Sequence, residues 1–344
     1  RQGDFIFDSG TGGFDFAAFV ANYGTGFGGK ISVRTGAGNL DLNAGQALKA
    51  RSLSLTADGG SITVAGSIDT SGVDVSSLSL TDAKNAAVNG GAISLYGLSG
   101  VTLTSTARLD THTTGFAAGD PRSASAGDVT IGIGNVGGAI TIASGAVVDV
   151  GARRTQAAQA AGLPANRLVA EFAKEPGTLV DRTVYRFVEA DKGGDISLRA
   201  PLIGAAMDQV DISLPSQGAF VGANSVQVEA YRSFDLDAIA VTPGVSGVTA
   251  TASGVVLDPS ADDAGAYGSN FLSGDFVMAG GLPSISHFIR NFSVSARDGS
   301  SFTGLRLRPG VDLLSSGTIT LNSAWNLAAA SVDEQAAFNA GYLQ

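Results

Sequence analysis

The stretch DGGSITVAGSIDTSG, Asp58–Gly72, joins a glycine pair to two short alternations of aliphatic and small polar residues. In an extended chain, Ile62, Val64 and Ile68 point to one face, and the Ser, Thr and Asp residues between them point to the other. This period of two predicts half-buried strands, and the glycines between them mark tight turns. The stretch therefore predicts short β-strands that are separated by glycine corners.

The same phrase recurs along the chain, and repetition at a fixed interval indicates a repeat architecture. Its first three copies begin 31 residues apart, at Gly28, Gly59 and Gly90. Later copies begin at unequal intervals, at Gly137, Gly193 and Ser316. Further alternating segments lie at 39–44, 52–57, 67–72, 77–82, 101–105, 129–133 and 147–151. The phrase is constant while its spacing varies, which is typical of insertions at the corners of a repeated unit.

Three architectures can hold many short half-buried strands: a sandwich, a propeller or a solenoid. A sandwich favours two-residue hairpin turns, and a propeller needs four strands in units of about 40–45 residues. Neither matches the repeated phrase, whereas a parallel β-helix stacks strands of successive rungs about 4.8 Å apart and accepts loops at its corners. We therefore predict an all-β fold, a parallel β-helix (solenoid), with short helical insertions.

Composition breaks divide the chain into rungs and insertions. Residues 152–177 are rich in Ala, Gln and Arg, with Pro164 and Pro176 as punctuation, and Ser331 with Glu334 spells a capping box. The predicted segments are a Phe-rich lead-in or cap at 1–28, rungs at 29–151, a helical insertion at 152–190, rungs at 191–257, a loop and helix insertion at 258–290, rungs at 291–327 and a helical tail at 328–344.

Composition and charge exclude several classes of protein. Glycine, at 48 of 344 residues, is about twice its ordinary usage, which favours turns over helices. The formal net charge of −10 comes without any Lys/Arg cluster, so a nucleic-acid partner is not expected. No apolar run approaches the length of a transmembrane helix, so no transmembrane segment is predicted. The chain starts without Met or a signal peptide, which favours a piece of a longer protein.

The absence of cysteine excludes disulfides, thiolate metal sites and a cysteine nucleophile, and it fits a chain that must stay uncrosslinked during export. Two G-x-G-x-x-G stretches, at 24–29 and 132–137, are followed by predicted strands rather than helices, so no dinucleotide cofactor is predicted. The two histidines, His112 and His287, lie far apart in sequence. We predict structural roles for both, and neither a zinc site nor a Ser-His-Asp triad.

Carboxylates offer the strongest route to catalysis, because glycoside cleavage needs two of them at a set separation and a β-helix can display such a row. The candidates form two sets, which are Asp69, Asp74 and Asp110, and Asp208, Asp211, Asp235 and Asp237. Most of these positions are strand faces or turns, where Asp commonly meets solvent. Carbohydrate clefts also favour exposed aromatic residues, but the one Trp of the chain, Trp325, is embedded in the segment LNSAWNL. A carbohydrate-active enzyme that uses Asp pairs is therefore the alternative, and no catalytic residue is assigned.

One loop could hold a calcium ion. Asp258, Asp262 and Asp263 could bind Ca²⁺ together with loop carbonyls. Their spacing matches neither an EF-hand nor a glycine- and aspartate-rich nonapeptide repeat, so a solvated loop is favoured. This weak calcium candidate is the single metal site that the sequence suggests.

Three longer stretches are similar to a known family. They are GGDISLRAPLIGAA at 193–206, ANSVQVEAYRSFDL at 223–236 and LRLRPGVDLLSSGTITLNSAWNL at 305–327. They resemble the C-terminal repeat region of large exoproteins of the filamentous haemagglutinin family, which Gram-negative bacteria export by two-partner secretion.

The resemblance implies a right-handed parallel β-helix and a structural role without catalytic residues. The expected function is adhesion, biofilm formation or extracellular filament building by a secreted or cell-surface protein. The partners it implies are an outer-membrane transporter of the two-partner type, further copies or the remainder of a longer exoprotein, and a glycan or cell-surface receptor.

Overall fold

The computed structural model describes residues 3–25, 27–74, 86–113, 123–152, 191–215, 218–261, 270–273, 283–302 and 304–325, and the strand backbone at 167–174 and 181–188. The described part of the chain is mostly β and contains long parallel sheets. Among the described residues, no helix has the length and apolar character needed to cross a membrane.

The described strands of the first half are short, with three to six residues each. In chain order they are β1 (Phe5–Asp8), β2 (Lys30–Thr35), β3 (Leu40–Leu42), β4 (Ala47–Lys49), β5 (Ser52–Ala57), β6 (Ser61–Val64), β7 (Ser67–Asp69), β8 (Ile93–Gly97), β9 (Gly100–Leu103), β10 (Arg108–Asp110), β11 (Val129–Ile133), β12 (Ala139–Ile142) and β13 (Val147–Asp149). One helix, α1 (Phe16–Tyr23), lies between β1 and β2 in the described part of this half.

The second half contains longer strands and two short helices among its described residues. In chain order they are β14 (Arg167–Lys174), β15 (Asp181–Val188), β16 (Asp195–Pro201), β17 (Gln209–Val210), β18 (Ile212–Ser213), β19 (Phe220–Val221), β20 (Ser225–Asp235), α2 (Leu236–Ala240), β21 (Val248–Thr251), β22 (Gly254–Leu257), α3 (Ile285–Arg290), β23 (Ser295–Ala296), β24 (Arg306–Leu314) and β25 (Thr318–Leu321).

The chain forms two compact units, Arg1–Arg199 with Asp211–Gln227, and Ala200–Val210 with Val228–Gln344. In the first unit, successive strands visit three sheets in turn. The first sheet orders β1-β2-β5-β8-β11-β16, the second β3-β6-β9-β12-β18 and the third β4-β7-β10-β13-β19. All of these neighbours pair in parallel. We call three strands that follow one another through the three sheets, such as β5-β6-β7, a strand triplet.

Register stacks the aliphatic residues of successive triplets in buried columns. In the first sheet, Ile31, Leu53, Ile93, Val129 and Ile196 lie opposite one another, and all are buried. The neighbouring positions carry Ser or Thr and reach the outer face. Each triplet thus covers the apolar face of the one before it, which removes the column from water.

The phrase at Asp58–Gly72 follows the predicted alternation. Ile62, Val64 and Ile68 are 1%, 0% and 1% exposed, and the Ser, Thr and Asp residues between them are partly exposed. The inward assignment of Ile62 is therefore confirmed. The buried face of the strands comes from the aliphatic half of the alternation.

The glycine pairs are required by close backbone packing. A Cβ on Gly59 would overlap the carbonyl oxygen of Gly36, and a Cβ on Gly60 would overlap that of Gly38. Neither Gly59 nor Gly60 has a positive φ. The glycines of this phrase are needed because the turn of one triplet touches the turn of the next, rather than because of left-handed backbone.

Helix α1 lies within the predicted lead-in at 1–28, where no helix was predicted. Asp15 caps it by accepting the Ala18 N–H at 2.9 Å. The Gly24 carbonyl, after the helix, accepts the Lys49 N–H at 2.7 Å, and the Gln46 side chain donates to the Ala17 carbonyl. The helix segment thus satisfies polar groups beside the first strands of the second and third sheets.

The prediction of a helical insertion at 152–190 is wrong for the residues that the structure describes. Strands β14 and β15 pair antiparallel there, from Arg167 opposite Val188 to Lys174 opposite Asp181. The segment includes RLVAEF and TVYRFV, which are rich in β-branched and aromatic residues. These residues favour strands and outweigh the alanine content that suggested a helix. The alanine-rich part at 153–166 lies outside the described residues.

Within the segment 191–257, where rungs were predicted, β16, β18 and β19 pair in parallel with β11, β12 and β13, whereas the second unit contains an antiparallel pair. Strands β21 and β22 pair antiparallel, β22 pairs in parallel with β25, and α2 follows β20. Its core consists of Phe234, Leu236, Ile239, Val248, Val255, Leu257, Phe271, Leu272 and Ile285. Ala252 and Ser253 form the short link that reverses the chain between β21 and β22. The helical tail predicted at 328–344 lies outside the described residues.

Candidate functional site

The outer face of the third sheet carries a column of charged side chains. Lys49, Asp69, Asp110 and Asp149 occupy the last position of β4, β7, β10 and β13, and each lies directly opposite the next. Parallel neighbours are about 4.8 Å apart, so these side chains are within reach of one another. The column brings together residues that are far apart in sequence.

The local sequence explains why this column faces outward. Each of its members follows a buried aliphatic residue, namely Leu48, Ile68, Leu109 or Val148. The strand ends are also held by buried threonines: Thr70 donates to the Gly91 carbonyl at 2.7 Å, and Thr111 donates to the Gly127 carbonyl at 2.6 Å. The charged side chains therefore project from rigid backbone.

The negative charge of Asp69 is balanced by Lys49, its neighbour in the column. Lys49 Nζ lies 2.7 Å from its carboxylate, and the Ser71 hydroxyl and N–H donate to it at 2.6 Å and 2.9 Å. Partial burial opposes its ionisation, but the hydrogen bonds from Lys49 and Ser71 outweigh burial and lower the pKa of Asp69. Asp69 is therefore held as a carboxylate, which suits a base or nucleophile and not a proton donor.

Asp110, His112 and Asp149 form a second cluster on this face. One ligand atom from each lies within 4.8 Å of the other two, and among the described residues no other group of three or more His, Cys, Asp or Glu meets this limit. The His112 ring nitrogen Nδ1 contacts the Asp110 carboxylate, and the His112 side chain is 14% exposed. The cluster therefore combines imidazole nitrogen with carboxylate oxygen at a partly buried position.

The structure brings together part of the first predicted carboxylate set. Asp69 and Asp110 lie opposite each other in β7 and β10, whereas Asp74 is exposed beyond the end of β7. Asp149 was missed. Its signal was the recurrence of Asp in the same strand position of SID, RLD and VVD.

The second predicted set has local structural roles. Asp235 caps α2 by accepting the Asp237 and Ala238 N–H groups, and Asp237 accepts from Ser315 and Ser316. Asp208 and Asp211 flank β17, and their backbone carbonyls accept from Ser295 and Ile140 respectively. These four residues do not form a carboxylate cluster among the described residues.

Asp258 of the predicted calcium loop is occupied by protein donors. It accepts from Ser260 at 2.7 Å, from Ser323 at 2.8 Å and from Asn322 at 3.3 Å. The hydrogen bonds from Ser260 and Ser323 hold the pKa of Asp258 down at about 2. Asp262 and Asp263 lie outside the described residues, so the calcium prediction stays a prediction.

The remaining sequence candidates lie in structural settings. His287 belongs to α3, where its N–H donates to the capping Ser284 hydroxyl at 3.1 Å. Trp325 packs partly buried against the core of the second unit. Gly132 lies in β11 with Gly137 before β12, and Gly29 directly precedes β2, so neither G-x-G-x-x-G stretch opens a helix.

Comparisons with known proteins give no relative. No family model, no curated protein and no solved structure matches this chain.

Proposed function

We propose that the first unit is part of a right-handed parallel β-helix, and that the chain is a segment of a structural or adhesive exoprotein. The observation that carries the proposal is the return of each strand triplet to the same three sheets, always parallel and in register. A coil of this kind buries one aliphatic column per sheet and repeats for as long as the sequence continues the phrase.

The outer surface supports an adhesive or filament-building role. It presents rows of small polar side chains, such as Thr63, Thr102 and Thr141, which lie opposite one another in the second sheet. Repeated rows of hydroxyls on a rigid sheet offer many identical weak contacts, which add up when a surface is also repetitive. Glycans and cell surfaces are repetitive in this sense.

Secretion is part of the same proposal. The resemblance of 193–206, 223–236 and 305–327 to the filamentous haemagglutinin family supports export through an outer-membrane transporter of the two-partner type, and the chain contains no cysteine. The protein would then act outside the cell or on its outer surface, in adhesion, biofilm formation or filament building.

Adhesion can be tested with beads that carry the purified chain. We expect these beads to be retained on immobilised glycans or cell layers under flow more strongly than beads that carry serum albumin. Beads with an Ile62→Asp variant, whose buried column is disrupted, serve as the matched control. Equal retention of the three kinds of bead would contradict an adhesive role, and electron micrographs of the same protein test filament building.

A carbohydrate-active enzyme is the second candidate, because Asp69 and Asp110 lie opposite each other on neighbouring strands. Such an enzyme needs one carboxyl that keeps its proton to act as general acid. Asp69 cannot supply it, because Lys49 and Ser71 lower its pKa. Asp110 is the opposite carboxyl of this pair.

The enzyme proposal is tested by incubating the protein with acidic and neutral polysaccharides and measuring new reducing ends or unsaturated products. Activity that is lost in Asp110→Asn and retained in Asp41→Asn, which changes an outward carboxylate of the second sheet, would support it. If none of the polysaccharides is cleaved, the enzyme candidate is excluded and the structural or adhesive function remains.

A further inference from the structure

The ends of β10 and β13 place four residues at the corners of a small grid on the third sheet. Along the sheet, Asp110 lies opposite Asp149, and two residues further along each chain His112 lies level with Gly151. The grid therefore has three donor side chains on three corners and a glycine, without a side chain, on the fourth. The fourth corner therefore contributes no ligand.

We propose that Asp110, His112 and Asp149 bind one divalent first-row transition-metal ion, with Zn²⁺ as the probe. Two carboxylate oxygens and one imidazole nitrogen make a mixed oxygen and nitrogen set, which suits Zn²⁺ and its neighbours. Ca²⁺ and Mg²⁺ take oxygen ligands, so the imidazole disfavours them. This site is separate from the adhesive role proposed above and does not depend on it.

The separations fit a metal ion with small side-chain movements. The three ligand atoms lie within 4.8 Å of one another. Ligands held at about 2.1 Å around a tetrahedral ion lie roughly 3.4 Å apart, so side-chain movements of about 1 Å, with the Asp110–His112 contact opening, bring the three atoms to these separations.

The two carboxylates are already oriented. Asp110 accepts the N–H of His112 at 3.1 Å, and Asp149 accepts the N–H of Gly151 at 3.0 Å, so each carboxylate is fixed by the residue two positions later. The backbone beneath them is fixed as well, because the Thr111 N–H donates to the Asp149 carbonyl at 2.9 Å. Orientation before binding reduces the entropy that binding must overcome.

Two described basic side chains of this face contact other groups. Lys49 contacts Asp69, and the Arg108 guanidinium, which precedes Asp110 on the same face, donates to the carbonyls of Ala107 and Gly145. His112, the imidazole of the cluster itself, contacts Asp110. A metal ion bound by these residues would join β10 to β13, strands of two successive triplets.

The two histidines of the chain make a direct test possible. In a long-range ¹H–¹⁵N spectrum of the untagged protein, addition of one equivalent of Zn²⁺ should shift the ring nitrogens of His112 and leave those of His287 unchanged. Calorimetry should give one site per chain. In Asp149→Asn, and independently in His112→Gln, the Kd for Zn²⁺ should rise by about tenfold or more.

Asp41→Asn, which changes an outward carboxylate of the second sheet, is the matched control and should bind Zn²⁺ like the parent chain. Circular dichroism of each variant separates loss of binding from loss of folding. The proposal is overturned if no saturable binding is found, if His287 responds in place of His112, or if Asp149→Asn binds unchanged. Equal affinity for Ca²⁺ and Zn²⁺ would contradict the assigned class of metal.

Discussion

At the scale of single residues, Ile62 lies in a buried column of the second sheet, between Leu40 and Val101. Ile62→Asp would place a carboxylate where no water or partner reaches it, and we expect the free energy of unfolding to fall by roughly 3–5 kcal/mol. Thr102→Asp introduces the same group on the outer face and should change it by less than about 1 kcal/mol. Urea unfolding of both variants checks this, and equal losses would contradict the inward assignment.

Asp258 makes part of the stability of the second unit depend on pH. Its pKa of about 2 lies below the ordinary carboxyl value, so its carboxylate form favours the folded state. That contribution is fully present above about pH 4, the ordinary carboxyl range, and is lost as the pH falls through the folded pKa of about 2. Asp258→Asn should therefore unfold more easily than the parent at pH 7, and the difference should vanish near pH 2.

Urea unfolding at a series of pH values measures this difference. Ser323→Ala removes one hydroxyl donor from Asp258 and keeps the carboxyl group, so the loss of stability should move to higher pH. A difference between parent and Asp258→Asn that is the same from pH 7 to pH 2 would show that the carboxylate does not titrate as proposed.

The candidate site illustrates what a sequence can predict at this scale. Asp69 and Asp110 could be selected because carboxylates that end similar strands can share a face. Asp149 ends VVD as Asp110 ends RLD, and His112 follows Asp110 by two residues, so the sequence carried a signal for both. Which strand ends lie side by side could not be predicted, because the interval between strand ends varies with the loops and the register is fixed by backbone hydrogen bonds such as Thr111 to Asp149. These side chains are close because their strands are neighbours in the sheet, and the number of residues between them in the sequence does not predict it.

At the scale of elements, glycine pairs set how closely the turns approach. A Cβ on Gly91 would overlap the carbonyl oxygen of Arg51, whereas a Cβ on Gly137 would meet only the Asn135 side chain, at 3.9 Å. Both residues belong to a Gly-Gly-Ala-Ile phrase. We expect Gly91→Ala to lower the free energy of unfolding by about 1–3 kcal/mol, and Gly137→Ala to change it by less than about 1 kcal/mol.

Thermal and urea unfolding of the two alanine variants provide the measurement. The comparison is matched because residue type, phrase and substitution are the same, and the approach of a neighbouring carbonyl differs. If both variants lose the same stability, conformational entropy of the unfolded chain explains the glycines better than packing of the turns.

Elements with a clear period were predictable, and elements decided by context were not. The alternation at 29–151 predicts strands because a period of two places all aliphatic side chains on one face, where they can be buried away from water. Helix α1 was missed because FAAFVANY is short and apolar, although Asp15 is a good capping residue. The hairpin of β14 and β15 was missed because alanine content was weighed above the β-branched and aromatic residues around it.

At the scale of the whole molecule, the first unit is stabilised by contacts between neighbouring triplets, so coupling should decay along the stack. Ile62 lies opposite Val101, whereas β9 and β12 separate its strand from that of Ile212. We expect Ile62→Val and Val101→Ala to be coupled by about 0.5 kcal/mol or more, and Ile62→Val and Ile212→Val to add within about 0.5 kcal/mol.

Urea unfolding of the parent, the three single variants and the two double variants gives both coupling energies. The three positions are buried in the same sheet, so differences in burial do not explain a difference in coupling. Strong coupling for the near pair alone supports stabilisation by nearest neighbours, as a parallel β-helix requires. Equal coupling for both pairs would mean that the column acts as one core, and the repeated phrase would then specify a closed domain in place of an extendable coil.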